Sequence, residues 1–206
     1  MFLEKAAEWF TAIVTGVSAF IIWMQLRLDH ERSRRLYAVE LLREWTNKQN
    51  IVTSATLKLV RTFSDDQCEA LAAEADVRLR KEQLKEALDV LTLEFPNVTA
   101  QDLLKDGELQ LSGRYRSHCR FQAVHFLNLL ESILAAWNSG IARADIIEAQ
   151  FQFLRTAPGA DLQKLRRALQ NIRGQVDPFP SISNFLAGIS PQVAQPLKLV
   201  DRLPWK

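Results

Sequence analysis

Histidine and cysteine are scarce in this 206-residue chain, at three and two residues, and neither type clusters. Two cysteines alone form neither a disulfide framework nor a structural zinc site. Seven glycines and seven prolines exclude a collagen-like or low-complexity chain. Charge of one sign is also lacking. Lys+Arg 26 against Asp+Glu 24 gives a formal net charge of +2, which is no global footprint for nucleic acid. There is no GxSxG, HExxH, P-loop or GxGxxG. What remains is 48% hydrophobic and 24% charged, enough apolar side chain to bury a core and too much for a disordered chain.

The strongest positive signal lies near the start. Trp9 to Leu26, WFTAIVTGVSAFIIWMQL, is an uncharged run of 18 residues. As a helix it is about 27 Å long, close to the roughly 30 Å hydrocarbon core of a bilayer. Trp9 and Trp23 stand near its two ends, where interfacial aromatics belong. Basic residues crowd the exit, with Arg27, Arg32, Arg34 and Arg35 diluted by Asp29 and Glu31, whereas Lys5 at the entrance is accompanied by Glu4 and Glu8. The positive-inside rule then puts the amino terminus outside and the rest in the cytoplasm, with these arginines at the inner leaflet. A cleavable signal peptide would carry its positive charge before the apolar run and a small-residue site after it, and Met24-Gln25-Leu26-Arg27 is no such site. A core helix of a soluble protein is the other reading of a run this short. The expectation is a single-pass anchor over residues 1–27.

In the cytoplasm Cys68 and Cys119 are expected to be reduced, buried thiols. The remaining chain reads as all-α, since no stretch shows sustained period-2 alternation. From Leu28 to about Lys48 the anchor is free to run on as one helix, with Leu28, Leu36, Val39, Leu42 and Trp45 as its apolar positions. A second helix covers Thr53 to Phe63. Ser64, three residues before Gln67, has capping-box spacing and opens a helix through Ala73. Leu84, Leu88, Leu91 and Phe95 form one stripe of an amphipathic helix from Asp76 to Glu94, stopped at Pro96, with Arg78–Glu82 and Lys85–Asp89 as outer-face pairs. Asn97 to Gly113 reads as a connector with one turn near Thr99 to Lys105. Arg114 to Asn138 is a long central helix whose broad face carries Tyr115, Cys119, Phe126, Leu130, Ile133 and Trp137, stopped at Gly140. Helices over Arg143 to Arg155 and Asp161 to Arg173 complete a bundle over residues 28–174.

The tail, residues 175–206, holds five of the seven prolines together with Phe179, Phe185 and Trp205. It reads as an extended arm lying along a partner or the chain's own bundle, with those three aromatics as anchors. Catalytic patterns are missing. His118 and His125 are seven residues apart, about 10.5 Å along a helix, too far for one metal ion. Glu40 and Glu44 suit a solvated helix face, and basic residues interleaved with acids do not build a nucleic-acid platform. No catalytic residue, cofactor or metal site is assigned.

Two blocks carry a family resemblance. RLYAVELLREWTNK follows the basic exit and ends a helix, Ala38 to Trp45, on a tryptophan. VHFLNLLESILAAWNSGIARADIIEAQFQFL, Val124 to Leu154, has an LN..E helix, a glycine and a following helix. Over roughly half of the chain this resembles a widespread group of bacterial single-pass membrane proteins whose helical domain has no known function, from which the Pro-rich arm departs. The resemblance implies a membrane-tethered α-helical module and brings no activity with it. The functional expectation is an accessory or scaffolding subunit of a larger membrane complex, with the bilayer and other subunits or itself as partners. The alternative is a tethered effector or sensor in stress or phage-defence signalling, and an enzyme with an unrecognised site comes third.

Overall fold

The computed structural model describes residues 2–157 and 159–189. Helix α1, Phe2–Lys48, is one unbroken helix of 47 residues, about 70 Å at 1.5 Å per residue. Its two halves differ. From Trp9 to His30 every side chain is exposed, and no part of the apolar run is buried. From Glu31 onward a stripe at helical spacing turns inward: Glu31 and Arg34 are half-buried, and Ala38, Leu41 and Trp45 are buried. The expected apolar face is therefore rotated. Leu42 and Trp45 pack on the body, whereas Leu28, Leu36 and Val39 stay exposed.

The body follows. Asn50 accepts a hydrogen bond from the Thr53 amide and caps α2, Ile51–Arg61. Ser64 and Gln67 make the expected reciprocal capping box of α3, Asp65–Ala72. The chain then departs from the expected Asp76–Glu94 helix. Val77–Arg78 is a strand, β1, a 3₁₀ turn covers Lys81–Gln83, and only Leu84–Thr92 is α-helical, as α4. Two strands, β2 at Leu104–Lys105 and β3 at Glu108–Leu111, form a hairpin inside the expected connector. All three make a small antiparallel sheet in the order β1-β3-β2, with Val77 opposite Leu111 and Leu104 opposite Leu109. The described residues are mostly helical, not all-α.

Buried amides hold this region together. The Gln67 side chain donates to Gln83 Oε1 at 2.9 Å and to the Arg78 carbonyl, while the Gln83 amide donates to the Thr62 carbonyl at 3.0 Å. Leaving such groups unpaired costs about 1–3 kcal/mol each, so the network fixes where α3 ends and α4 begins. The expected Arg78–Glu82 pair is also redrawn, since Arg78 meets Glu108 at 2.9 Å across the sheet.

Helix α5, Gly113–Asn138, is the central element, with Cys119, Ala123, Leu127, Leu130, Leu134 and Trp137 fully enclosed. Helices α6, Ala144–Phe151, and α7, Phe153–Thr156, divide the expected Arg143–Arg155 segment, and α8 spans Gln163–Ile172. A ninth helix among the described residues, α9 at Pro180–Leu186, lies in what the composition suggests is an extended arm. Pro180 occupies its first turn, where a missing N–H costs nothing. Both Glu131 oxygens accept from the Ser181 and Ile182 amides, at 2.9 and 3.0 Å, placing a carboxylate on the positive end of α9. Arg155 closes the other end, donating to the Phe185 carbonyl at 2.7 Å with its guanidinium 4.2 Å from the Phe185 ring.

Candidate functional site

The large apolar side chains in the first half of α1 stand exposed among the described residues. Phe10, Ile13, Val17, Phe20, Ile22 and Trp23 each expose about half or more of their surface. Among the described residues one helix is long and apolar enough to cross a membrane, and it is this one. Trp9 is 72% and Trp23 53% exposed, so both aromatics project from the helix. The Trp23 ring lies 5.9 Å from Phe20 and has the Arg27 guanidinium 5.6 Å over its face, within cation–π range.

The basic exit divides in two. Arg27, Arg32 and Arg35 are exposed and free to meet a charged surface. Arg34 is turned the other way. Its side chain is 17% exposed and donates to Glu31 at 3.3 Å. Its carbonyl accepts from the Arg143 amide at 3.3 Å, and the Arg143 guanidinium reaches the other Glu31 oxygen at 3.5 Å. Arg34 thus belongs to the clasp between α1 and the body, which corrects its expected place among the headgroup contacts. No sequence signal links Glu31 to Arg143, which lie 112 residues apart.

Two of the three expected arm anchors are inside the body. Phe179 is 3% and Phe185 0% exposed, the latter edge-on to Trp137 at 5.1 Å. They are core residues of this chain, buried because α9 is pinned at both ends, and they are not open to a partner. Trp205 lies outside the described residues.

The chemistry-bearing residues are dispersed. His118 packs edge-on to Phe95 at 5.5 Å, and His125 stacks on Phe121 at 5.8 Å. Among the described residues no group of three or more His, Cys, Asp or Glu side chains converges. Burial pushes the Cys68 thiol up to about 11 and the Cys119 thiol up to about 12, so both are protonated at neutral pH. Cys68 lines a hollow of about 160 Å³ with Val60, Leu162 and Lys164. A shallower hollow of about 380 Å³ beside α5 is bordered by Glu74, Arg120, Phe121 and His125. Arg120 is already paired there with Glu74 at 3.0 Å. In the first hollow Lys164 donates to the Phe63 carbonyl at 2.9 Å, and in the second Ser117 donates to the Gly113 carbonyl at 3.1 Å.

Comparison of the chain with family models, with curated proteins and with solved structures returns no match.

Proposed function

We propose that this chain is a membrane-anchored accessory or scaffolding subunit that holds a helical body at the bilayer and acts through protein contacts. The observation that carries the reading is the 0% burial of the apolar window in α1, beside a body that closes its own core. An 18-residue uncharged run needs a second apolar phase, and its length fits one leaflet pair. Trp9 and Trp23 serve as interfacial anchors, and Arg27, Arg32 and Arg35 as the basic flank. The asymmetry of that flank favours the amino terminus outside and the body in the cytoplasm of a bacterial inner membrane. The absence of any family match leaves the resemblance to single-pass helical modules resting on the two sequence blocks alone.

A second reading, a self-associating effector or sensor, draws on Ala12, Gly16 and Ala19. These small residues lie on an exposed helix, and Gly16 has open space where a side chain would be. Small residues let membrane helices approach closely.

Native mass measurement after extraction in mild detergent separates the readings. Stoichiometric co-extracting subunits are the expected result. Recovery as a lone monomer or homo-oligomer overturns the subunit assignment and turns it to the effector reading.

A further inference from the structure

The described residues contain four helix ends closed by the same motif, in which the residue two past the cap donates back to the third residue from the helix end. Ala75 donates to Ala70, Ile141 to Ala136, Gln175 to Gln170 and Ile189 to Asn184. The residue before each of these four has positive φ: Glu74, Gly140, Gly174 and Gly188. This Schellman motif is normally accompanied by an apolar contact between the donating residue and its acceptor. At Ile141 and Ile189 that contact is too small or of the wrong chemistry, because the acceptors are an alanine and an asparagine. The two isoleucines are left 58% and 51% exposed. The other two motifs carry Ala75 and Gln175 at the same position, although Ile172 and Val176 flank the latter at 54% and 68% exposed.

These two isoleucines share one end of the body. Helices α5 and α9 run alongside each other in the same direction, since Glu131 meets Ser181 and Ile182 while Trp137 meets Phe185. Ile141 and Ile189 each lie four residues past that last ring pair. The end they occupy is the one nearest the apolar run. Trp45 touches Phe126 and Phe151, at 5.4 and 5.0 Å, whereas Arg34 touches Arg143. Going back along α1 toward the apolar run therefore means going forward along α5 to its last turn. Glu31, which holds Arg143, lies only five residues past Leu26, about 7.5 Å along the helix. A bilayer of about 40–45 Å with a 30 Å core has headgroup layers of about 5–7.5 Å, so the tip of the body stands at the outer edge of that layer. The other two motifs are farther away. Arg120 donates to the Ala72 carbonyl, and Arg173 lines a hollow with Asn128, which places them about 27 and 15 Å back along α5 from Asn138.

Arg27 completes the patch. It lies one turn before Glu31 and two before Arg34, in line with the stripe of α1 that packs on the body, and is exposed because the body ends at Glu31. From this we infer that the body is seated on the bilayer that α1 crosses, with Ile141 and Ile189 dipping into its headgroup layer and Arg27 meeting anionic phospholipid. The occupant of this apolar tip is the surface of the chain's own membrane, an arrangement that rests on the anchor reading of α1. The seating fixes the body at two places, the helix and the tip, and so sets the face it turns to a partner subunit.

The test uses the full chain in vesicles of phosphatidylcholine with phosphatidylglycerol, labelled with an environment-sensitive fluorophore at one introduced cysteine. Cys68 and Cys119 are buried with raised pKa values, so labelling falls on the new thiol. The positions are Ile141→Cys, Ile189→Cys, Phe121→Cys as a control 64% exposed and about 30 Å back from Ile141, and Val17→Cys within the apolar run. Lipids carrying a nitroxide at the headgroup are expected to quench the labels at 141 and 189, with a blue shift in emission, and to leave the label at 121 unchanged. Lipids carrying it deep in the chain are expected to quench the label at 17. Quenching at 17 with labels at 141 and 189 behaving like the one at 121 overturns the seating alone. No quenching at 17 overturns the anchor and the seating together.

Discussion

Two helices of this protein are long and rich in large apolar side chains, and the fold treats them in opposite ways. In α5 the apolar residues alternate with Arg116, Arg120, Asn128 and Glu131, so one side is polar and the other is wrapped by neighbours. In α1 the residues from Trp9 to Leu26 carry no charge on any side, and all are exposed among the described residues. Burial of apolar surface contributes about 25 cal/mol per Å² wherever water is removed. A helix with one apolar stripe gains this from a protein core. A helix apolar all round gains it fully only when every direction is apolar, and a bilayer supplies that at the observed length. The contrast separates two kinds of stability in one chain, and each is open to attack without the other.

The largest expected effect is on the body. Phe185→Ala removes a fully enclosed ring from between Trp137 and Arg155 and is expected to cost about 3–5 kcal/mol in denaturant melts, with membrane retention unchanged. A cost near zero would mean that α9 is not part of the core. The reverse experiment is Val17→Arg, which places a charge mid-helix at about 2.5–3.5 kcal/mol on insertion scales. Membrane retention is expected to fall while the melt of the body is unaffected. If instead the melt shifts, the apolar half of α1 has a protein partner.

Smaller effects sharpen the same division. Glu131→Gln weakens two charge-assisted bonds to the start of α9 and is expected to cost about 1–2 kcal/mol, with proteolytic cutting near residue 179 as the local readout. The smallest concerns Asp76, which joins Lys105 at 2.7 Å and Arg116 at 3.0 Å. The hydrogen bond from Lys105, with the two cationic neighbours, holds its carboxyl below its ordinary value of 3.8. A carboxyl whose folded pKa is depressed adds stability that is present above its unfolded pKa and lost as pH falls through the folded one. Stability should therefore fall slightly more steeply with acid below about pH 4 in the native chain than in Asp76→Asn, by melts across pH.

Much of this division is legible in the residues. The uncharged run, the breadth of the α5 stripe and the Ser64–Gln67 spacing are local patterns, and the structure contains all three. The sheet is also local but short. Val77-Arg78-Leu79-Arg80 alternates apolar and charged over four residues, and Lys105-Asp106-Gly107-Glu108 carries the Asp-Gly pair of a tight hairpin. In the structure Asp106 and Gly107 both have positive φ, at 54° and 81°. A helical reading of Asp76 to Glu94 absorbs the first pattern because Leu84, Leu88 and Leu91 impose their period on what precedes them. The tail misleads for another reason. Five prolines suggest extension, but Pro180 opens a helix, and the contacts that fold it back come from Glu131 and Arg155, distant in sequence. The clasp of Arg143 on Glu31 and Arg34 likewise leaves no trace in spacing. Composition and period report which faces are apolar, whereas only the assembled fold reports which partner each face meets.

On this reading the apolar half of α1 lies in a bilayer and not in a protein groove. Fractionation of native membranes washed in alkaline carbonate addresses it most directly, because that treatment strips proteins held by contacts with other proteins and leaves spanning helices in place. The full chain is expected to stay with the lipid pellet, and a chain lacking residues 9–26 to be recovered folded in the supernatant. Recovery of the full chain in the supernatant would contradict it.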